Sequence, residues 1–160
     1  MDLSGSVHRL NPRGDASTTL PGNRPPEWEP EEPMPQILVE YSDNMTDAFD
    51  RRGFALALHT LVATMAETAL DSCKTRFRPI EEYVIADGAA HHAMVHIEVG
   101  LLSGRTAEAK SELARAVLAL ARDHMKPTPR LTVQTTVDIA DLDGDSYQKH
   151  VAARSETEKE

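Results

Sequence analysis

The sequence predicts an α/β domain of the α+β kind, made of two successive β-α-β units. Three observations carry this. Apolar and polar residues alternate over residues 36–41, 93–102 and 130–140, the period of a strand with one buried face. Apolar residues recur at the helical period over residues 50–70 and again after Thr106. The order β-α-β then appears twice in halves of similar length, a repeat in pattern and not in strict sequence.

Taken in order, residues 1–33 form no part of this pattern. PGNRPPEWEPEEP carries five prolines in thirteen residues, which removes backbone donors and disfavours both helix and interior strand. So little apolar surface cannot offset ordering entropy, and a disordered extension is expected. QILVEY, residues 36–41, places Ile37, Val39 and Tyr41 on one side of a first strand. Phe54, Leu58, Leu61, Val62, Met65 and Ala69 share one face of a first helix over residues 50–70. Residues 74–85 read as a second strand, with Pro79 marking an edge, a bulge or a bend. The Ala86-Asp87-Gly88 run is a turn.

In the third strand, residues 93–102, Val95, Ile97, Val99 and Leu101 lie on one face. Thr106 is placed to cap a second helix, with Glu108 in its first turn. Ala109, Leu113, Ala116, Val117 and Leu120 are its expected buried face, and Lys126-Pro127 ends it. A fourth strand covers residues 130–140, a turn follows at DLDGDS, and residues 151–160 are a polar tail. The folded domain is thus expected at residues 34–150. Two folds share this order: the ferredoxin-like fold, and a tandem pair of parallel β-α-β units related by a pseudo-twofold. Periodicity does not choose between them.

Composition narrows the function. The net charge of −9 is poorly suited to phosphate backbones or anionic membrane surfaces, so neither nucleic acid nor membrane is an expected partner. Sparse aromatics also count against an RNA-binding ferredoxin-like module. Cys73 is the one cysteine, so no intrachain disulfide forms, as fits a reducing cytoplasm. No apolar run reaches the roughly 18 residues of a membrane span, and no apolar secretory segment opens the chain. A cytoplasmic protein is the expectation.

MPQILVEYSDN, CKTR (residues 73–76), EEYVIADG (residues 81–88) and MVHIEVGLLSGRTAEAK (residues 94–110) together resemble the 5-carboxymethyl-2-hydroxymuconate isomerases, a branch of the tautomerase superfamily. That family typically opens Met-Pro-His before an aliphatic run. The resemblance covers Pro35 to about residue 142. It implies the tautomerase-like tandem fold and a homotrimer. It also implies a cofactor-independent isomerase acting on an enol di- or tricarboxylate of aromatic-acid (homoprotocatechuate) degradation.

The resemblance makes Pro35 the catalytic base and Arg105 a substrate-binding residue, with Lys74 and, more weakly, Arg76 as further anion holders. The chemistry is coherent. A secondary amine in an apolar pocket near cations has a depressed pKa, as a base working near neutral pH requires. A guanidinium grips a carboxylate through two parallel hydrogen bonds. Lys74 stands where some relatives carry arginine, which keeps charge but gives up the planar fork. Arg76, two residues on, shares its strand face.

Pro35 is a base only with a free amine. Translation from Met34 followed by methionine removal is the favoured route, with cleavage of a longer chain as another. If the extension is retained, the domain is a catalytically silent carboxylate-binding protein. Other features read blandly. His91, His92 and His96 lack further ligands at metal spacing and read as a turn pair plus a strand residue. Asp141, Asp143 and Asp145 lack the closing glutamate of a calcium loop and read as a solvated turn. Met45, Met65 and Met94 are core candidates.

Overall fold

The computed structural model describes residues 34–155, so the expectation for residues 1–33 and the end of the tail fall outside the described residues. Four strands and two helices follow one another as β1 (Gln36–Ser42), α1 (Arg51–Met65), β2 (Lys74–Ile80), β3 (His92–Leu102), α2 (Ala107–Asp123) and β4 (Thr132–Leu142). The sheet order is β2-β1-β3-β4. β1 runs parallel to β2 and β3 parallel to β4, while β1 and β3 are antiparallel at the centre. A split β-α-β arrangement would insert a strand between β1 and β2. Here they are hydrogen-bonded neighbours, so the fold is the tandem pair and not the ferredoxin-like alternative.

Both helices cover one face of the sheet. On that face Ile37, Val39, Val95, Ile97 and Val99 are fully buried, and Phe54, Leu58, Val62, Leu113, Val117 and Ala121 pack down from the helices. Each of these Val, Ile, Leu and Phe side chains contributes about 1.5–3 kcal/mol on burial. The opposite face is open and polar. Gln36, Glu40, Arg76, Arg78, His96, Glu98 and Asp138 project from it by strand alternation.

Both helices start on side-chain caps. Asp50 accepts from the Gly53 amide at 3.0 Å, and Thr106 accepts from the Ala109 amide at 3.1 Å. The end of α1 corrects the expected helix over residues 50–70. Glu67 turns left-handed (φ 52°), and the Thr68 amide reaches back to the Ala63 carbonyl at 3.1 Å, closing the helix. Ala69 therefore lies outside it, and Met65, at the last turn, is 41% exposed instead of buried.

Other corrections are smaller. Ala109, in the first turn of α2, is exposed, and the buried stripe runs Leu113, Val117, Ala121. Met94 lies on the open face, half-buried, while Met45 is fully buried. β2 stops at Ile80, and Pro79 is accommodated because β2 is an edge strand. β4 begins and ends two residues later than expected. Residues 151–155 are exposed and without regular structure.

Candidate active site

Parallel pairing puts the first residues of β1 and β2 side by side, and antiparallel pairing brings the end of β3 to the same place. Gln36 faces Lys74 on one side and Gly100 on the other. α1 ends and α2 begins at this end of the sheet, since each helix runs back along the strand before it. Pro35, Lys74, Arg76 and Arg105 therefore belong to the same end of the sheet by topology.

Pro35 is buried at the head of β1, and its carbonyl accepts from the Lys74 amide at 3.4 Å. Its nitrogen is joined to Met34, itself 1% exposed. Lys74 is exposed, with its Nζ donating to the Ser72 carbonyl at 2.9 Å. Arg76 is exposed on the same open face and donates from Nη1 to Oε1 of Gln36 at 3.0 Å.

Arg105 approaches from the helix side. Gly104 (φ 123°) turns the chain as no side-chain-bearing residue readily does, and Thr106 starts α2 immediately after. Between them Arg105 is half-buried. Its Nη1 donates to the Leu102 carbonyl at 3.0 Å and its Nη2 to the Ala66 carbonyl at 2.7 Å. The second contact satisfies an orphan carbonyl at the C-terminus of α1, the negative end of that helix. The cations thus flank the head of β1 from two sides: Lys74 and Arg76 above the open face, Arg105 on the helix side.

Close approach is built in at Gly100. A Cβ there would lie 3.2 Å from Cδ2 of Leu142 and 3.3 Å from the Gln36 carbonyl oxygen, so any larger residue would crowd both neighbours. Cys73, next to Lys74, is buried, and burial pushes its thiol pKa up, so it stays protonated and poorly nucleophilic.

The sequence reading missed Gln36 and Tyr147. Gln36 donates from Nε2 to the Tyr147 hydroxyl at 2.9 Å, while its Oε1 takes the bond from Arg76. The only signal was position, since Gln36 directly follows Pro35. The remaining candidates behave structurally. His92 starts β3 and pairs with Asp87 at 2.8 Å, and His96 meets Thr136 at 2.7 Å. Asp141 belongs to β4, where Lys110 reaches it at 3.1 Å, and Asp143 caps its own turn. Among the described residues no three His, Cys, Asp or Glu side chains are grouped to hold a metal ion.

Two grooves, of about 600 and about 490 Å³, lie elsewhere. The larger runs between α1 and β2 past Phe49, Arg51, Leu56, His59 and Phe77; the smaller lies beside Arg122, Met125 and Val133. None of the four predicted residues lines either.

This pairing of a tandem β-α-β sheet with a proline at the head of its first strand defines a tautomerase-fold protein. The comparisons agree. A solved 5-carboxymethyl-2-hydroxymuconate isomerase from Deinococcus radiodurans R1 superposes with a TM-score of 0.66 at 21% identity, over 74% of this chain and 90% of that one. A fused 4-OT wild-type symmetric trimer superposes with a TM-score of 0.54 at 22% identity, over 67% and 85%. The 5-carboxymethyl-2-hydroxymuconate Delta-isomerase of Escherichia coli is 25% identical over 91 residues, 57% of this chain and 72% of the relative. The family model for 5-carboxymethyl-2-hydroxymuconate isomerase matches residues 35–156, and the chain belongs to that family.

Proposed function

We propose that this chain is a cofactor-independent isomerase that moves a proton within a 2-hydroxymuconate-type enol di- or tricarboxylate, with Pro35 as base. The observation that carries the reading is the convergence of Pro35 with Lys74, Arg76 and Arg105 at one end of the sheet. The Pro35 amine, once free, takes the proton of the 2-hydroxyl. The electron pair moves through the conjugated chain, the C–O bond becomes C=O, and a distal carbon accepts the proton from the prolinium. Proton and electrons balance without a cofactor. Arg105, Lys74 and Arg76 hold the carboxylates and stabilise the dienolate formed between the two transfers. The cations also favour the neutral amine.

A homotrimer completes the reading. The fused symmetric trimer among the solved neighbours supports it, and the polar sheet face is where a neighbouring copy would pack. The names of the relatives support a hydroxymuconate-type enol acid as the substrate; aromatic-acid degradation in the cytoplasm is the setting this reading adds. In a chain that begins at Pro35, Pro35→Ala is expected to remove most turnover of 5-carboxymethyl-2-hydroxymuconate, about 10²–10⁴-fold, with the circular dichroism unchanged. Undiminished turnover would sink the reading.

A second reading has one observation in its favour: Met34 precedes Pro35 and is buried, so the described chain leaves the proline nitrogen an amide. In that form the domain is a silent carboxylate-binding protein. It predicts binding of hydroxymuconates by the intact chain without conversion.

A further inference from the structure

We propose that Tyr147 is a further substrate-contacting residue, with Gln36 as its positioning residue; the inference rests on the isomerase reading above. The argument begins with what each group can donate. Arg76 has only N–H donors, so the atom of Gln36 that faces it, 3.0 Å from Nη1, must be the carbonyl Oε1. The amide nitrogen of Gln36 then points the other way, at the Tyr147 oxygen 2.9 Å off. Nε2 only donates, so the phenol must accept. Its own proton is thereby turned away from Gln36, and no other described partner takes it.

That proton lies beside the head of β1. Gln36 is the residue after Pro35, and Lys74 stands directly across from Gln36 on the same open face. Lys74, Arg76 and the Tyr147 hydroxyl therefore present three donors around one side chain next to the proposed base. Lys74 and Arg76 keep N–H groups beyond those given to Ser72 and Gln36, and these together with the phenol proton suit an anionic oxygen. The ligand class is a carboxylate or enolate oxygen of the enol acid, to which Tyr147 donates a hydrogen bond and keeps its proton.

The chain beyond β4 is built to deliver the ring. Asp143 accepts from the Asp145 amide at 3.1 Å and from the Ser146 hydroxyl at 2.8 Å, and its carbonyl takes the Tyr147 amide at 3.1 Å. This turn brings a half-buried tyrosine back over the sheet to Gln36, 111 positions earlier.

The test uses a chain that begins at Pro35. Tyr147→Phe is expected to lower kcat/KM roughly ten- to hundredfold, the scale of one hydrogen bond to a charged group, with fold intact. Gln36→Glu supplies two acceptors, one for Arg76 and one for the phenol proton, which is thereby captured. Its loss should be comparable, and adding Tyr147→Phe to it should cost less than about twofold more, the non-additivity of a shared contact. Asp143→Ala, which loosens the turn without touching the ring, should lower kcat/KM in the same direction and serves if Tyr147→Phe does not fold. Unchanged kcat/KM in Tyr147→Phe, or losses that simply multiply in the double variant, overturns the assignment. If the parent chain itself has no turnover, the isomerase reading fails separately. The dissociation constant of cis,cis-muconate is then the readout, and a value unmoved by Tyr147→Phe overturns the inference.

Discussion

The Arg105 guanidinium donates to the Ala66 carbonyl at 2.7 Å, tying the loop after β3 to the end of α1. One side chain thus closes a helix terminus and, in the proposed reading, holds a substrate carboxylate with the N–H groups left over. Arg105→Met should lower stability by about 1–3 kcal/mol, since two carbonyls lose a charged donor, and should also raise KM. Urea unfolding and steady-state kinetics separate the two effects. A loss of stability with KM unchanged would leave Arg105 a purely structural residue.

The same helix end holds a strained residue. Glu67 sits at φ 52°, where a Cβ is disfavoured and glycine is the usual occupant. Glu67→Gly should stabilise the fold by about 1 kcal/mol, seen as a higher urea midpoint at unchanged slope. A lower midpoint would mean that the glutamate side chain has a role no contact here reveals.

Lys74 carries an ammonium and not a guanidinium, so in the proposed site its contribution should be charge without bidentate geometry. Lys74→Met is expected to raise KM for a dicarboxylate roughly ten- to hundredfold, while Lys74→Arg should match or improve on the parent. Equal KM in all three would remove Lys74 from the site.

Burial lowers the His59 pKa below its ordinary 6.5, its Nε2 lying 2.8 Å from Oγ1 of Thr75. The unfolded chain then binds the proton more readily than the folded one. Stability is full above the unfolded value and falls as pH drops through it toward the lowered native value. Urea midpoints measured between about pH 7.5 and pH 5 should decline, and His59→Gln should flatten that decline. An equal decline in the variant would place the titration elsewhere.

Much of the fold was legible because alternation and helical period report burial directly. Ile37, Val39, Val95 and Ile97 on the strands, and Phe54, Leu58, Val62, Leu113 and Val117 on the helices, all lie where their spacing put them. The α1 terminus was not legible, because Ala69 continues the apolar period of Val62 and Met65 past the left-handed turn at Glu67. Strand order was not legible from periodicity either, since adjacency of β1 and β2 is a long-range choice that local patterning does not encode. The gathering of Pro35, Lys74, Arg76 and Arg105 came from the family resemblance, and topology then supplied its geometry. Gln36 and Tyr147 escaped notice because their hydrogen bond joins residues 111 positions apart, with no spacing rule to announce it.

The central claim is that Pro35 acts as a free amine. The most direct measurement compares turnover of 5-carboxymethyl-2-hydroxymuconate by two preparations whose starts are verified by intact mass, one beginning at Pro35 and one at Met1. The account predicts conversion by the first and none by the second, since a tertiary amide has no useful basicity. Equal conversion by both, or none by the chain beginning at Pro35, would contradict it.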